Sequence, residues 1–239
     1  CVRLRNVQRL TQVLEQFKAT GAGPSLHACA TLIRAYGHAR RLDRAWALWR
    51  ELTEDRKVTP NEEVFASMVD ACLANGDLDG AVSVFREMKL VLPDFSRGAV
   101  VFSALVKACV QRKLAKLATE VYDEIKDVCT CSKVTYNTLI DALVRQGEMD
   151  RATDLFRDMS LKGVTPDLIT YSTLIKGHCV RGDLEQGLQL LGLMQRRGIA
   201  PDAILFNSIL DGCAHKQMCS LTEMVLKDME AAGIAPSNF

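Results

Sequence analysis

The sequence predicts an all-α fold, a right-handed α-solenoid of about six helix-turn-helix units, and three observations carry the prediction. The first is a string of seven residues written three times: VTYNTLI (Val134 to Ile140), ITYSTLI (Ile169 to Ile175) and ILFNSIL (Ile204 to Leu210), each 35 residues after the last. The second is that its apolar pattern extends backwards to VVFSALV (100–106), EVFASMV (63–69) and HACATLI (27–33), at spacings of 34, 37 and 36. The third is a Gly followed by a Pro three residues later at 163, 198 and 233, which closes a unit. Self-similarity at such a period is the signature of stacked repeats. The units run 26–61, 62–98, 99–132, 133–167, 168–202 and 203–237, with 1–25 as the tail of a preceding one, so that 1–239 forms a single array.

Each unit carries two apolar stripes at i, i+3, i+4, i+7, one face of a helix each. The first stripe reads Tyr136, Leu139, Ile140, Leu143; Phe102, Leu105, Val106, Cys109; and Phe206, Ile209, Leu210, Cys213. The second reads Ala45, Leu48, Trp49, Leu52; Ala81, Val84, Phe85, Met88; and Ala152, Leu155, Phe156, Met159. Between them stand Gly-plus-acid turns, NGDLD (75–79), QGEMD (146–150) and RGDLE (181–185), whose acids suit a helix N-terminus. A hairpin of this size cannot cover both stripes alone, so neighbours must stack and leave a concave face. The tenth place of the units is always small (Ala35, Ala71, Ala108, Ala142, Gly177, Gly212), as close helix approach requires.

Composition narrows the function classes. With 239 residues, 48% hydrophobic and 25% charged, the chain can bury a core. No uncharged run approaches a membrane span, and nothing at the start reads as a signal peptide, so membrane insertion is not expected. The first residue is Cys, and both ends read as cut from a longer chain. The net charge is +1, low for a protein that holds nucleic acid through phosphates alone. The balance is uneven: residues 1–61 carry 11 basic against 5 acidic side chains, 62–132 carry 8 against 11, and 133–239 carry 11 against 13.

Nine cysteines, an odd number, without an N-x-Ser/Thr sequon point to a reducing compartment. Cys72, Cys109 and Cys213 share one core place, with Cys179 one residue beyond, and Cys129-Thr-Cys131 lacks a second ligand pair at zinc spacing. His178 continues a buried stripe. No zinc-deaminase, Walker, dinucleotide or H-E-x-x-H motif occurs, so neither a catalytic residue, a metal, a cofactor nor a small-molecule substrate is expected in this region.

The string VTYNTLIDALVRQGEMDRATDLFRDMSLKGVTPD and its two successors resemble the pentatricopeptide repeat, and the resemblance covers essentially the whole chain. It is strongest in 133–237 and weakest in 26–61, where Cys29 stands for the usual aromatic and Arg40 for the usual turn Gly. The tetratricopeptide signature W-x2-L-G-x2-Y is absent.

That resemblance implies a single-stranded RNA partner, read one base per repeat by two or three side chains. It assigns readout to the fifth and last residues of a unit: Asn137 with Asp167, Ser172 with Asp202, Asn207 with Ser237, and Ser103 with Ser132. By the family's pairing preferences the first three imply 5′-UGC-3′, preceded by one ill-defined base. Val100, Val134, Ile169 and Ile204 would sandwich the bases. The first two units depart from the pattern: Ala30/Asn61 and Ala66/Gly98 put Ala in the fifth place, and His27 and Glu63 replace the apolar sandwich residue. His38, Arg145 and His215 share a groove-side place, open to phosphate contact or to plain solvation. Organellar RNA processing, stabilisation, editing or translation follows from the family. The rival is a scaffold subunit of an organellar assembly such as a ribosome, with protein as its partner.

Overall fold

The computed structural model describes residues 25–55, 57–92, 98–127 and 131–235. Among them stand twelve α-helices: α1 (Leu26–His38), α2 (Leu42–Arg50), α3 (Glu62–Asn75), α4 (Leu78–Val91), α5 (Gly98–Gln111), α6 (Ala115–Ile125), α7 (Lys133–Arg145), α8 (Met149–Leu161), α9 (Leu168–Arg181), α10 (Leu184–Arg196), α11 (Ala203–His215) and α12 (Cys219–Ala231). They pair as the six predicted hairpins, odd helix first. A π-helical turn, Glu51–Asp55, prolongs α2. The chain divides into two compact units, residues 1–130 and 131–239.

Stacking repeats within each unit. In the first, α1 packs on α3 and α3 on α5; in the second, α7 packs on α9 and α9 on α11. Each second helix also lies against the next first helix, α2 on α3, α4 on α5, α8 on α9 and α10 on α11. One aromatic pair marks three of these junctions: Trp49 against Phe65, ring centroids 5.2 Å apart, Phe85 against Phe102 at 6.3 Å, and Phe156 against Tyr171 at 5.4 Å. The predicted stripes form the core: Phe65, Phe85, Phe102, Tyr136, Tyr171 and Phe206 are all fully buried. Each such side chain contributes about 1.5–3 kcal/mol on removal from water. In the last described hairpin Leu210 is only half-buried.

Every first helix ends in the same hydrogen-bonded closure, the residue after the left-handed position donating to the carbonyl five residues back: Arg41 to Tyr36, Asp77 to Cys72, Leu114 to Cys109, Glu148 to Leu143, Asp183 to His178 and Met218 to Cys213, all at 2.9–3.0 Å. The left-handed position is Gly at 76, 147 and 182, and Arg40, Lys113 and Gln217 in the other three, with φ of 60°, 61° and 54°. The departure at Arg40 therefore leaves the turn intact. The small tenth place is explained by packing. A Cβ on Gly177 would stand 2.5 Å from Met149 Sδ and 2.8 Å from Val144 Cγ1, and one on Gly212 would stand 2.8 Å from Leu184 Cδ2.

Candidate nucleic-acid interface

The last residue of a unit is the N-cap of the next first helix. Ser25, Asn61, Ser132, Asp167 and Asp202 each accept from the backbone N–H three residues on, at 3.3, 3.0, 3.2, 3.1 and 2.8 Å. This satisfies a donor that the helix itself leaves open. Gly98 has no side chain to do so, and it opens α5 directly.

Two residues past the last residue of the preceding unit stands the second-place residue. Val100, Val134, Ile169 and Ile204 are 70%, 74%, 63% and 76% exposed, although the next two residues of α7, Thr135 and Tyr136, are buried. In the second unit Val134, Ile169 and Ile204 occupy the same place on α7, α9 and α11, three helices packed side by side.

Asn137 and Asp167 meet. Asn137 Nδ2 donates to Asp167 Oδ1 at 3.2 Å, and the buried Thr170 hydroxyl lies 2.7 Å from Asn137 Oδ1 and 3.0 Å from Asp167 Oδ1. Thr170 also accepts from the Asp167 N–H at 3.2 Å, completing a capping box. Burial pushes the Asp167 carboxyl up, but the Thr170 amide and hydroxyl, the Asn137 amide and the charge of Lys133, 3.7 Å away, outweigh it and hold it below the usual carboxylate range. Thr170 was not singled out from the sequence; its signal was the D-x-x-T spacing of the box.

The other residues expected to read bases are placed less completely. The Ser172 hydroxyl is buried without a hydrogen-bond partner on the groove between α7 and α9. Its predicted mate Asp202 caps α11 through Oδ1. Asn207 is half-buried on α11, and Ser237 lies outside the described residues. Ser103 Oγ donates to the Ala99 carbonyl at 2.7 Å within α5, and Ser132 Oγ stands 2.9 Å from Thr135 Oγ1.

The first two hairpins are built differently. Ala30 is fully buried, so the fifth place of the first hairpin belongs to the core rather than to the groove, while Ala66 in the second is half-buried. His27 Nδ1 lies 3.1 Å from Glu63 Oε2, and Arg34 donates to Ser67 Oγ at 3.0 Å, so polar links join α1 to α3 where the apolar row would continue.

Of the candidate phosphate contacts, His38 is exposed at the end of α1. Arg145 Nε stands 2.9 Å from Asp141 Oδ2, and His215 Nδ1 donates to the Asp211 carbonyl at 2.9 Å. The core thiols are poor nucleophiles: burial pushes Cys72 up to about 12, and Cys109 and Cys179 to about 11. Cys131 is buried, and Cys129 lies outside the described residues.

Comparison with known proteins agrees with this architecture. The PPR repeat family pattern matches residues 132–180 and 172–215, the PPR repeat pattern matches 28–56, 63–90 and 204–234, and the pentatricopeptide repeat domain pattern matches 94–146. A chloroplastic pentatricopeptide repeat-containing protein of Arabidopsis thaliana is 36% identical over 168 residues, 68% of this chain and 21% of that protein. The mitochondrial 15S rRNA processing factor CCM1 of Yarrowia lipolytica is 27% identical over 66% of this chain and 21% of its own length. The chain thus spans about a fifth of each of these two relatives. Maize PPR10, solved in complex with an 18-nt psaJ RNA element, superposes with a TM-score of 0.54 at 23% identity, covering 99% of this chain and 34% of that one. With family patterns matching from residue 28 to residue 234, the chain belongs to the pentatricopeptide repeat family.

Proposed function

We propose that the chain binds single-stranded RNA one base per hairpin, with hairpins three to six as the reading segment, and serves organellar RNA processing, stabilisation, editing or translation by occupying a site rather than by chemistry. The observation that carries this reading is the exposure of four branched apolar side chains at one place, Val100, Val134, Ile169 and Ile204, beside buried neighbours. Exposed aliphatic groups at such regular intervals cost solvation unless something flat covers them, and a base has two apolar faces. Beside that row Asn137 and Asp167 supply an amide and a carboxylate for a Watson–Crick edge, and Ser172 supplies an unpaired hydroxyl. The relatives named mitochondrial and chloroplastic support an organellar setting.

The test is selection from a random single-stranded RNA pool by the purified chain at about 0.15 M salt, because the phosphate contribution falls steeply with salt. Enrichment of UGC is expected. Retention of no RNA by a helical chain would overturn the proposal.

A second reading rests on the first two hairpins. There the His27–Glu63 link and the buried Ala30 replace the reading features, and the basic balance of residues 1–61 persists. This segment suits a protein or ribosomal RNA surface in a larger organellar assembly.

A further inference from the structure

The second unit holds its groove cations in two states. Arg145 is tied to Asp141 at 2.9 Å, and Arg181 gives Nη1 to Asp150 at 3.0 Å and Nε to Asp183. Lys133 stands 3.7 Å from Asp167. Lys176 and Lys216, in contrast, have no carboxylate within ion-pairing distance among the described residues. Both line one groove of about 250 Å³ between α9 and α11, which Val180, Ser208, Asp211 and His215 also line.

Charges at the ninth place of the three first helices alternate, Asp141, Lys176, Asp211, but both acids have nearer partners. Arg145 holds Asp141, and His215 Nδ1 stands 3.5 Å from Asp211 Oδ1. The ammonium of Lys176 therefore remains in water. That of Lys216 is positioned by its stem: a Cβ on Gly182 would meet Lys216 Cε at 2.3 Å, so the aliphatic chain lies across the glycine that ends α9. A stem already laid down loses less rotamer freedom when its head group is engaged.

We infer that Lys176 and Lys216 together hold a phosphodiester of the bound RNA strand, an assignment that rests on the proposed single-stranded RNA reading. Taking up a phosphate costs Arg145 its carboxylate, whereas the two lysines exchange only water. The place also fits. Lys176 follows Ile169 by seven residues, which puts it on nearly the same face of α9 and about 10 Å along the axis. The groove thus continues from the exposed apolar row towards the hairpin turns. A strand whose bases lie over Ile169 and Ile204 carries its backbone past the pair. Ser208 is not a competing donor, since its hydroxyl already serves the Ile204 carbonyl at 2.8 Å.

The test is the salt dependence of binding of the 239-residue chain to two single-stranded oligonucleotides, one containing UGC and one scrambled. Lys176→Gln with Lys216→Gln is expected to weaken both RNAs several-fold by the same factor, and to reduce the slope of log K against log salt by about 1.4, two contacts at about 0.7 each. Lys176→Arg with Lys216→Arg, which keeps both charges, is expected to retain the slope. Arg145→Gln is expected to move it less than the lysine pair does. An unchanged slope in a helical Gln variant that still prefers UGC overturns the lysine assignment and leaves the RNA reading standing. A loss confined to the UGC oligonucleotide also overturns it, because a phosphate contact carries no sequence information. Failure of the unsubstituted chain to bind either RNA removes the functional reading itself, and the assignment with it.

Discussion

His27 Nδ1 and Glu63 Oε2 are 3.1 Å apart, and the two residues hold the same place in consecutive hairpins. Elsewhere that place is an exposed Val or Ile. The link closes from side to side a gap that the later hairpins leave open. His27 is 78% exposed, and pairs of that kind contribute about 0–1 kcal/mol. The double substitution His27→Val with Glu63→Val is therefore expected to shift the thermal midpoint by no more than about 4 °C. Because Ala30 stays buried beside it, the substitution is not expected to lengthen the RNA footprint. A footprint one nucleotide longer would contradict the structural role given to Ala30.

Asn137→Ser is expected to move preference at one base from U towards G, the pair then being Ser with Asp as at Ser172 and Asp202. The shorter side chain also leaves Thr170 without its 2.7 Å partner, so stability is expected to fall by about 1 kcal/mol. Competition binding with single-base variants and a denaturant titration on the same preparation separate the two effects.

Gln217 adopts φ 54° at the closure where hairpins two, four and five have Gly. A side chain in the left-handed region costs about 1–2 kcal/mol, and Gly returns part of that through the entropy of the unfolded chain. Gln217→Gly is expected to raise stability by about 0.5–1 kcal/mol, visible as a midpoint higher by about 2–4 °C. A decrease would show that Gln217 makes a compensating contact.

Gly37→Ala is expected to have the opposite sign. Its Cβ would stand 2.6 Å from Ala71 Cα, and backbone cannot swing aside as a methionine tip can. The helices α1 and α3 would have to separate, at about 1–3 kcal/mol, which calorimetry would read as a lower midpoint.

His178 gives stability a pH dependence. Burial first, then the charge of Arg181, push its pKa below the usual 6.5, against the pull of Asp183 and Asp150. A histidine depressed on folding binds its proton more weakly in the native state. Its contribution is complete above about pH 6.5 and declines as pH falls below that value. Urea midpoints are expected to drop between pH 7.5 and 5.5, and His178→Leu to flatten that drop. Parallel curves for the two proteins would refute the assignment.

The hairpins were legible because burial repeats with the sequence: Tyr136, Leu139, Ile140 and Leu143 were read as one face, and all four are buried. His178 was legible as core for the same reason. The left-handed turns at Arg40, Lys113 and Gln217 were not, because their closure depends on backbone hydrogen bonds that any side chain permits at a modest cost. Nor were His27–Glu63 and Asn137–Thr170 legible as contacts, since partners 36 and 33 residues apart meet only once hairpins stack. The burial of Ala30 follows from how closely α1 approaches α3, which no periodicity encodes.

On the proposed reading the last residue of a unit both meets a base and caps the next helix, and this restricts its alphabet. Ser25, Asn61, Ser132, Asp167 and Asp202 all belong to the small set that can cap a helix. A change of letter at this place is therefore charged to the folding of the following hairpin, at about 0.5–2 kcal/mol whenever it leaves that set. The fifth residue, one and a half turns into the helix, is under no such obligation. On the proposed reading, recognition can drift at the fifth residue, while the last is held to the cap formers Ser, Asn and Asp, with Gly98 the departure among the described residues.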